Sequence, residues 1–307
     1  MIFFLTSFFV SVMAASTPLL LAGCGELVVE RSGVLNLGVE GMMLVGAVCG
    51  FAIGHLTDSS ALGVVAAALG GAALSVVFAF LTLTLLANQT AAGLALTIFA
   101  RGFSALLGAG YVGVKGPELA KLSLPGLSQI PFFGRALFGQ DALLYGSLAI
   151  LVAVAWFLYR THAGLALRAV GDSHDAAHAI GYPVNRIRLG AILFGGAMAG
   201  LGGGYMSLSY SPLWAENMTA GRGWIALALV VFATWRPGWL LVGAYLFGAI
   251  MYLSLYAQGL GVAIPSPLIA ALPYLVTVAV LAIIARDRRR IRLNQPACLG
   301  KPFYAGA

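Results

Sequence analysis

Apolar runs long enough to cross a bilayer recur along almost the whole chain, and this leaves few folds open. A hydrocarbon core of about 30 Å needs roughly 20 helical residues. Nine segments approach or exceed that length: 3–28, 34–54, 61–87, 89–110, 142–159, 189–213, 218–234, 238–258 and 265–285. Pro18 and Gly23 interrupt the first, which reads as one helix or as two shorter pieces. The seventh reads as a segment that begins in a re-entrant turn. A transmembrane barrel would show alternating segments of about 10 residues, and none is present. Only 9% of the residues are charged, where a soluble domain carries about 25%. The stretches between segments, at most about 30 residues, fall below the ~40 that an unaided core requires. The expected fold is all-α: a polytopic membrane protein with eight to ten hydrophobic segments, forming a single transmembrane domain over 1–307.

Basic residues set the expected orientation, because short cytoplasmic loops retain lysine and arginine. The loop 160–188 holds Arg160, Arg168, Arg186 and Arg188, and the tail 286–307 holds Arg286, Arg288, Arg289, Arg290, Arg292 and Lys301. Arg31 and Arg236 join them if the segments alternate, against Lys115, Lys121 and Arg135 on the opposite side. This bias places the C-terminus and the loop 160–188 in the cytoplasm. It also accounts for the net charge of +7 without a nucleic-acid partner. The tail's Arg-Asp-Arg-Arg-Arg-Ile-Arg run reads as an anchor against anionic membrane lipid.

Within this apolar background a few polar groups stand out. Glu30, Arg31, Asn36 and Glu40 lie in or against an apolar run that Gly33, Gly38 and Gly41 weaken as a helix. Ionisable groups at membrane depth face a polar cavity or a partner, and broken helices survive there only under protein cover or beside a cavity. Asn36, Gly38 and Glu40 are therefore candidates for a translocation pathway, while Glu30 and Arg31 read as a brace at the inner end of the bundle. Asn88 and Gln89 join two apolar segments, either as a tight turn or as the polar start of a pathway helix. Glu216 and the glycine-flanked Arg222 open the seventh segment, with Arg222 free to pair with Glu216, to pair with Glu40, or to fix helix packing. Interrupted segments in both halves of a chain point to a binding site between them.

The loop 160–188 is amphipathic, with Leu165, Leu167, Val170, Ala176, Ala177 and Ile180 on its apolar face. Gly171 and Asp172 form a turn, and Asp172 or Ser173 can cap a short helix from about Ser173 to Ile180. Gly181 can supply the left-handed position that ends it. His174 and His178 are four apart, but no third ligand makes a metal site. A partly apolar helix exposed to the cytoplasm needs a covering surface, as a docking helix for a soluble motor would. Gly171, Asp172, His174, Asp175, Ala176, Ala177 and Gly181 are the coupling candidates.

Cys24, Cys49 and Cys298 lack metal or redox spacing and read as small buried hydrophobes. Leu21-Ala22-Gly23-Cys24 mimics a lipoprotein cleavage box but lacks a basic leader. There is no phosphate-binding loop and no hydrolase or metalloprotease motif. The chain is thus not expected to be an enzyme or to bind a cofactor.

These residues resemble the permease subunits of bacterial ATP-binding-cassette importers, in the branched-chain amino acid/simple sugar group and its nucleoside-type branch. The likeness is carried by Glu30 to Ala47, by Ala166 to Arg188 and by Glu216 to Gly238, with further support from Ala87 to Thr97. Where the family usually shows Gly-Glu-Asn-Pro in the coupling loop, this chain reads Gly171-Asp172-Ser173-His174. The resemblance implies a type II-like importer in the inner membrane, working by alternating access. Its partners would be a cytoplasmic ATPase carrying ATP and Mg, a second permease that is a copy or a paralogue, and an extracytoplasmic substrate-binding protein. The solute would be a nucleoside or a simple sugar. A stand-alone secondary transporter or channel is the alternative that the broken helices and Glu40 leave open.

Overall fold

A computed structural model describes residues 2–122, 138–259, 266–285 and 294–304. Eleven α-helices account for most of them: α1 Ile2–Arg31, α2 Val39–Thr57, α3 Ser60–Ala79, α4 Gln89–Gly108, α5 Ala142–Arg160, α6 His162–Asp172, α7 His174–Ala179, α8 Val184–Tyr205, α9 Arg222–Phe232, α10 Pro237–Gly259 and α11 Ser266–Ala285. Phe80–Thr84 and Met206–Tyr210 extend α3 and α8 as π-helical turns. Among the described residues the only β contacts are the isolated bridges Val112–Trp214, Lys115–Leu213 and Lys121–Asp141.

Among the described residues seven helices are long and apolar enough to cross a membrane, so the nine expected segments are not all found as spans. The first segment is one unbroken helix despite Pro18. Ser16 and Thr17 donate their hydroxyls to the carbonyls of Val12 and Met13, bonding the backbone in the turn that the proline weakens. The expected segment 218–234 shrinks to the 11 residues of α9, or about 16 Å, half a hydrocarbon core. Left-handed residues cut it at both ends: Asn217, Ala220 and Gly221 before it, Thr234 and Trp235 after it. The remaining expected segment is α11, a 20-residue apolar helix outside the seven.

Helix α8 is the centre of the bundle and packs against α1, α2 and α3; α4 lies on α2, while α5 and α10 lie on α1. Small residues permit these crossings, since helices in lipid associate through close backbone packing. A Cβ on Gly46 of α2 would collide with the Gly200 backbone, and one on Gly200 would meet the carbonyl of Ala67 in α3. One end of the bundle gathers the last turn of α1, α6, α7, the start of α8 and the segment 294–304. The opposite end carries the bridged segments near 112–121 and 213–214. The basic run 286–292 and Arg135 lie outside the described residues.

Overpacking a fitted core costs about 1–3 kcal/mol. Gly200→Val, which sets a branched side chain against the α3 backbone at Ala67 and Gly71, is expected to lower the melting temperature of the detergent-solubilised protein or to abolish its monodisperse peak. Gly102→Ala, at a position open on every side, is expected to leave both unchanged.

Candidate translocation and coupling sites

The chain turns back into the bundle after α1. From Ser32 to Gly38 it climbs alongside α1, so that the Asn36 amide donates to Glu26 Oε1 at 3.2 Å. The Leu35 amide donates to Gln89 Oε1 at 2.8 Å, and the Gly38 amide to Asn36 Oδ1 at 3.0 Å. Thr97 of α4 donates its hydroxyl to the carbonyl of Leu37. Gly93 lets this loop lie on α4, since a Cβ there would stand 2.8 Å from the Gly38 nitrogen. Helix α2 thus starts inside the bundle, with Gly41 against Thr97 and Ala100, midway along the span Gln89–Tyr111.

At this depth α2 meets the start of α9. Glu40, 1% exposed, accepts the amides of Gly221 at 2.8 Å and Gly223 at 2.6 Å and the Thr219 hydroxyl at 2.5 Å. It supplies from across the bundle what a local N-cap side chain usually provides, because the first amides of a helix have no intrahelical partner. A carboxylate there also complements the helix dipole. Gly223 is small because it faces Glu40: a Cβ would sit 2.6 Å from the Glu40 Cα. Arg222 forms no ion pair with Glu40 or Glu216 among the described residues. It donates to Met206 Sδ at 3.2 Å and lies over the Tyr210 ring, 5.2 Å from its centroid.

The sequence-selected pathway residues therefore fall into two sets. Asn36, Gly38, Glu40 and Gln89 are buried or half-buried and hold the backbone of the loop and of α9. Asn88 and Glu216 are exposed and Arg222 is half-buried; Asn88 also caps α4 by accepting the Ala91 amide. Arg101, which sequence reasoning left unassigned, sits at the same mid-span level and is exposed, donating from Nε to Asn217 Oδ1 at 3.0 Å. Its position in the middle of an apolar helix was the signal that could have found it.

The other end of α9 is held by the inner brace. Trp235 donates its indole N–H to Glu30 Oε2 at 2.5 Å, and Arg31 donates Nε and Nη2 to the Trp235 carbonyl. Both residues of the expected brace thus converge on one tryptophan, which sequence reasoning did not single out.

The coupling candidates lie on α6 and α7. Ser173 Oγ accepts the Ala176 amide, and Gly181 adopts φ +95°, so both ends of the short helix are built from the expected residues. Gly171 is buried because its Cα faces the end of α1, where a Cβ would strike the Arg31 carbonyl. Ala177 points inward against Val170, Val184 and Phe303, and His174 is also buried. Asp172, Asp175, Ala176, Ile180, Gly181 and Tyr182 form the exposed side.

The inward side is strapped by residues 294–304. The Cys298 amide donates to the Gly171 carbonyl and the Gly300 amide to that of Gly33. Phe303 packs edge-on against both His174 and His178, with centroids 5.4 and 5.3 Å away. The fully buried Arg188 of α8 ties the parts together, donating Nε to the Ser32 carbonyl, Nη1 to the Lys301 carbonyl and Nη2 to His174 Nδ1, each at 3.2 Å. Sequence reasoning counted Arg188 only as a topology charge.

The fold and these sites define a multi-pass helical membrane protein with a half-helix at mid-depth and a short strapped helix, α7, at one end. Residues 8–285 match the family described as branched-chain amino acid transport system / permease component, and the chain belongs to it. It is 42% identical to a putative glucose ABC transporter permease protein of Haloferax volcanii, over 93% of each chain. It is 32% identical to a guanosine ABC transporter permease protein of Bacillus subtilis, over 95% of this chain and 94% of the relative. A second guanosine permease of Bacillus subtilis matches at 28%, over 74% of this chain and 71% of the relative.

Two expectations follow. Glu40→Gln offers one acceptor oxygen where two are used and turns an amide group toward a buried N–H. Leaving a buried donor unsatisfied costs about 1–3 kcal/mol, so thermal unfolding should show a clear drop, larger than that of Thr219→Val. The second concerns pH. An arginine cannot accept, so His174 Nδ1 must be unprotonated, and its Nε2 faces Asp175 Oδ1 at 3.4 Å. Burial, then the Arg188 guanidinium, hold the His174 pKa below its ordinary 6.5, against the pull of Asp175 and with a smaller push from Lys301. A folded value below the unfolded one means the contact contributes fully above about pH 6.5 and is lost as pH falls toward the folded value. Hydrogen-exchange protection of 296–304, corrected for intrinsic rate, should fall below that pH, and His174→Gln should remove the dependence.

Proposed function

We propose that this chain is the permease subunit of an ATP-driven importer that moves a simple sugar or a nucleoside across the cytoplasmic membrane. The single observation that carries the reading is family membership over 8–285, joined by near-full-length similarity to a glucose and a guanosine permease. The geometry supports it with a short helix, α7, anchored on one side and presenting Asp175, Ala176, Ile180 and Tyr182 on the other. Ile180 is 74% exposed, a large apolar side chain suited to burial against an ATPase. On this reading the end carrying α6, α7 and 294–304 is cytoplasmic, in line with the arginine bias.

The architecture is of the type II-like kind, with α9 as its broken pathway helix. Solute passes the exposed Asn88, Glu216 and Arg101 and the half-buried Arg222, whose donors and acceptors suit hydroxyl-rich molecules. Asn36, Gly38, Glu40 and Gln89 shape the wall behind them. Alternating access follows when ATP-driven closure of the ATPase displaces α7. An extracytoplasmic binding protein delivers the solute. The matches to two guanosine permeases of one organism, unequal in coverage, support a paralogue as the second permease.

The test is uptake of labelled glucose and guanosine into vesicles holding this chain with its partner ATPase, second permease and binding protein. ATP-dependent uptake of one of them is expected, with Ile180→Asp reducing it at least tenfold while the chain still inserts. Uptake that persists without ATP hydrolysis, driven by an ion gradient through this chain alone, would replace the reading with a secondary transporter.

A further inference from the structure

Three arginines converge at the arm-bearing end of the bundle, beside the inner brace, which contributes one of them, Arg31. Arg31, Arg168 and Arg236 line a cavity of about 690 Å³ together with Tyr159, Asp172 and Trp239. Three guanidinium groups face one carboxylate, so the cavity carries an excess of positive charge. Arg31 spends three of its five N–H donors on the carbonyls of Trp235 and Asn294 and adds its charge to the cavity. Arg168 is oriented by the Tyr159 ring, 5.3 Å from its centroid, and its Nε is buried without a partner. Arg236 is exposed. Helix α10 also begins here, at Pro237, and the first amides of a helix favour an anion.

The cavity's outer wall has the opposite character. Trp239 and Val242 of α10 line it and are 54% and 51% exposed, and Val152 of α5, one and two helical turns before the lining residues Ala155 and Tyr159, is 68% exposed. These faces lie on the outside of the bundle, where hydrocarbon surrounds a membrane protein. Tryptophan and tyrosine at such a boundary sit at headgroup level. A cationic floor beside an apolar wall matches a molecule with a phosphate at one end and acyl chains at the other.

We propose that this pocket binds the phosphate headgroup of an anionic glycerophospholipid, with its acyl chains along Trp239, Val242 and the outer face of α5. The phosphate takes hydrogen bonds from Arg168 and Arg236 and lies over the amides of Gly238 and Trp239. Arg168 belongs to α6, the helix that carries the strapped helix α7, so the bound lipid ties that arm to α10 and to the membrane plane. A free phosphate would share the polar contacts and leave the apolar wall bare.

The test uses the full chain purified in a neutral detergent and needs no transport, so it stands whether or not the importer reading does. Phosphatidylglycerol, phosphatidylcholine and inorganic phosphate are compared by thermal shift, and bound lipid is counted by native mass spectrometry. The wild type is expected to be stabilised by phosphatidylglycerol beyond phosphatidylcholine. Each lost guanidinium should weaken that binding about fivefold, the equivalent of about 1 kcal/mol per basic residue near an anionic lipid. Arg168→Gln and Arg236→Gln should each show this, with their unliganded melting temperatures close to wild type. If Arg168→Gln fails to fold, the exposed Arg236 and Trp239→Ala carry the comparison. Equal protection by inorganic phosphate would reassign the pocket to a soluble anion and overturn the lipid assignment. Equal protection by phosphatidylcholine, or a phosphatidylglycerol effect unchanged in Arg236→Gln and Trp239→Ala, would overturn the pocket itself by leaving the binding to other basic residues.

Discussion

The carboxylate of Glu40 is the interaction on which the middle of this bundle depends. A helix that starts at mid-depth exposes its first amides to a medium with no water to satisfy them. Here α2 delivers the acceptor. Both carboxylate oxygens are used, on two amides and a hydroxyl, and the glycine at 223 gives α2 the room to come so close. The result is a half-helix whose start is fixed by another helix rather than by its own sequence. In an importer whose half-helix faced solute directly, those amides would be a ligand site; in this chain they are already occupied. The polar side chains left around the start of α9 include two cations, Arg222 and Arg101.

Much of the fold was legible from hydropathy because the bilayer imposes a length on every spanning helix. The short helix at 174–179 was legible too, since Ser173 and Gly181 are a cap and a left-handed terminator with local causes. The count of spanning segments was not. Residues 218–234 have the composition of a span, but Asn217, Ala220, Thr234 and Trp235 adopt positive φ, and Asn217, Ala220 and Trp235 bond the distant Arg101, Tyr274 and Glu30–Arg31, contacts that no periodicity reveals. The role of Arg188 was hidden for a similar reason. Its partners are carbonyls of Ser32 and Lys301 and a histidine ring, and carbonyl acceptors leave no mark in a sequence.

The same distinction explains the pathway residues. A polar residue in an apolar run announces that it avoids lipid, but it does so equally when it lines a path and when it bonds backbone. Asn36 and Gln89 spend their carbonyl oxygens on amides of the 32–38 loop. Asn88, which the sequence could not separate from its neighbour Gln89, is the exposed one of the pair. Side-chain type selected the region, and only the backbone's course through it sorted the residues within.

The two ends of the molecule meet in that loop. Arg188 holds the Ser32 carbonyl, Gly300 the Gly33 carbonyl, Gln89 the Leu35 amide, Glu26 the Asn36 amide and Asn36 the Gly38 amide. Two residues further on stands Glu40. With Thr97 on the Leu37 carbonyl and the Val34 amide on the Val29 carbonyl, all seven residues are pinned, and such a connection does not act as a hinge, because a hinge needs positions that can absorb a change in φ and ψ. Displacement of α7 reaches His174, Arg188 and Ser32 through direct hydrogen bonds, and from there a stiff segment leads to the carboxylate that seats α9. The physical route from α7 to the half-helix is therefore short, and it runs through the α1–α2 connection rather than through the long loops of the opposite end.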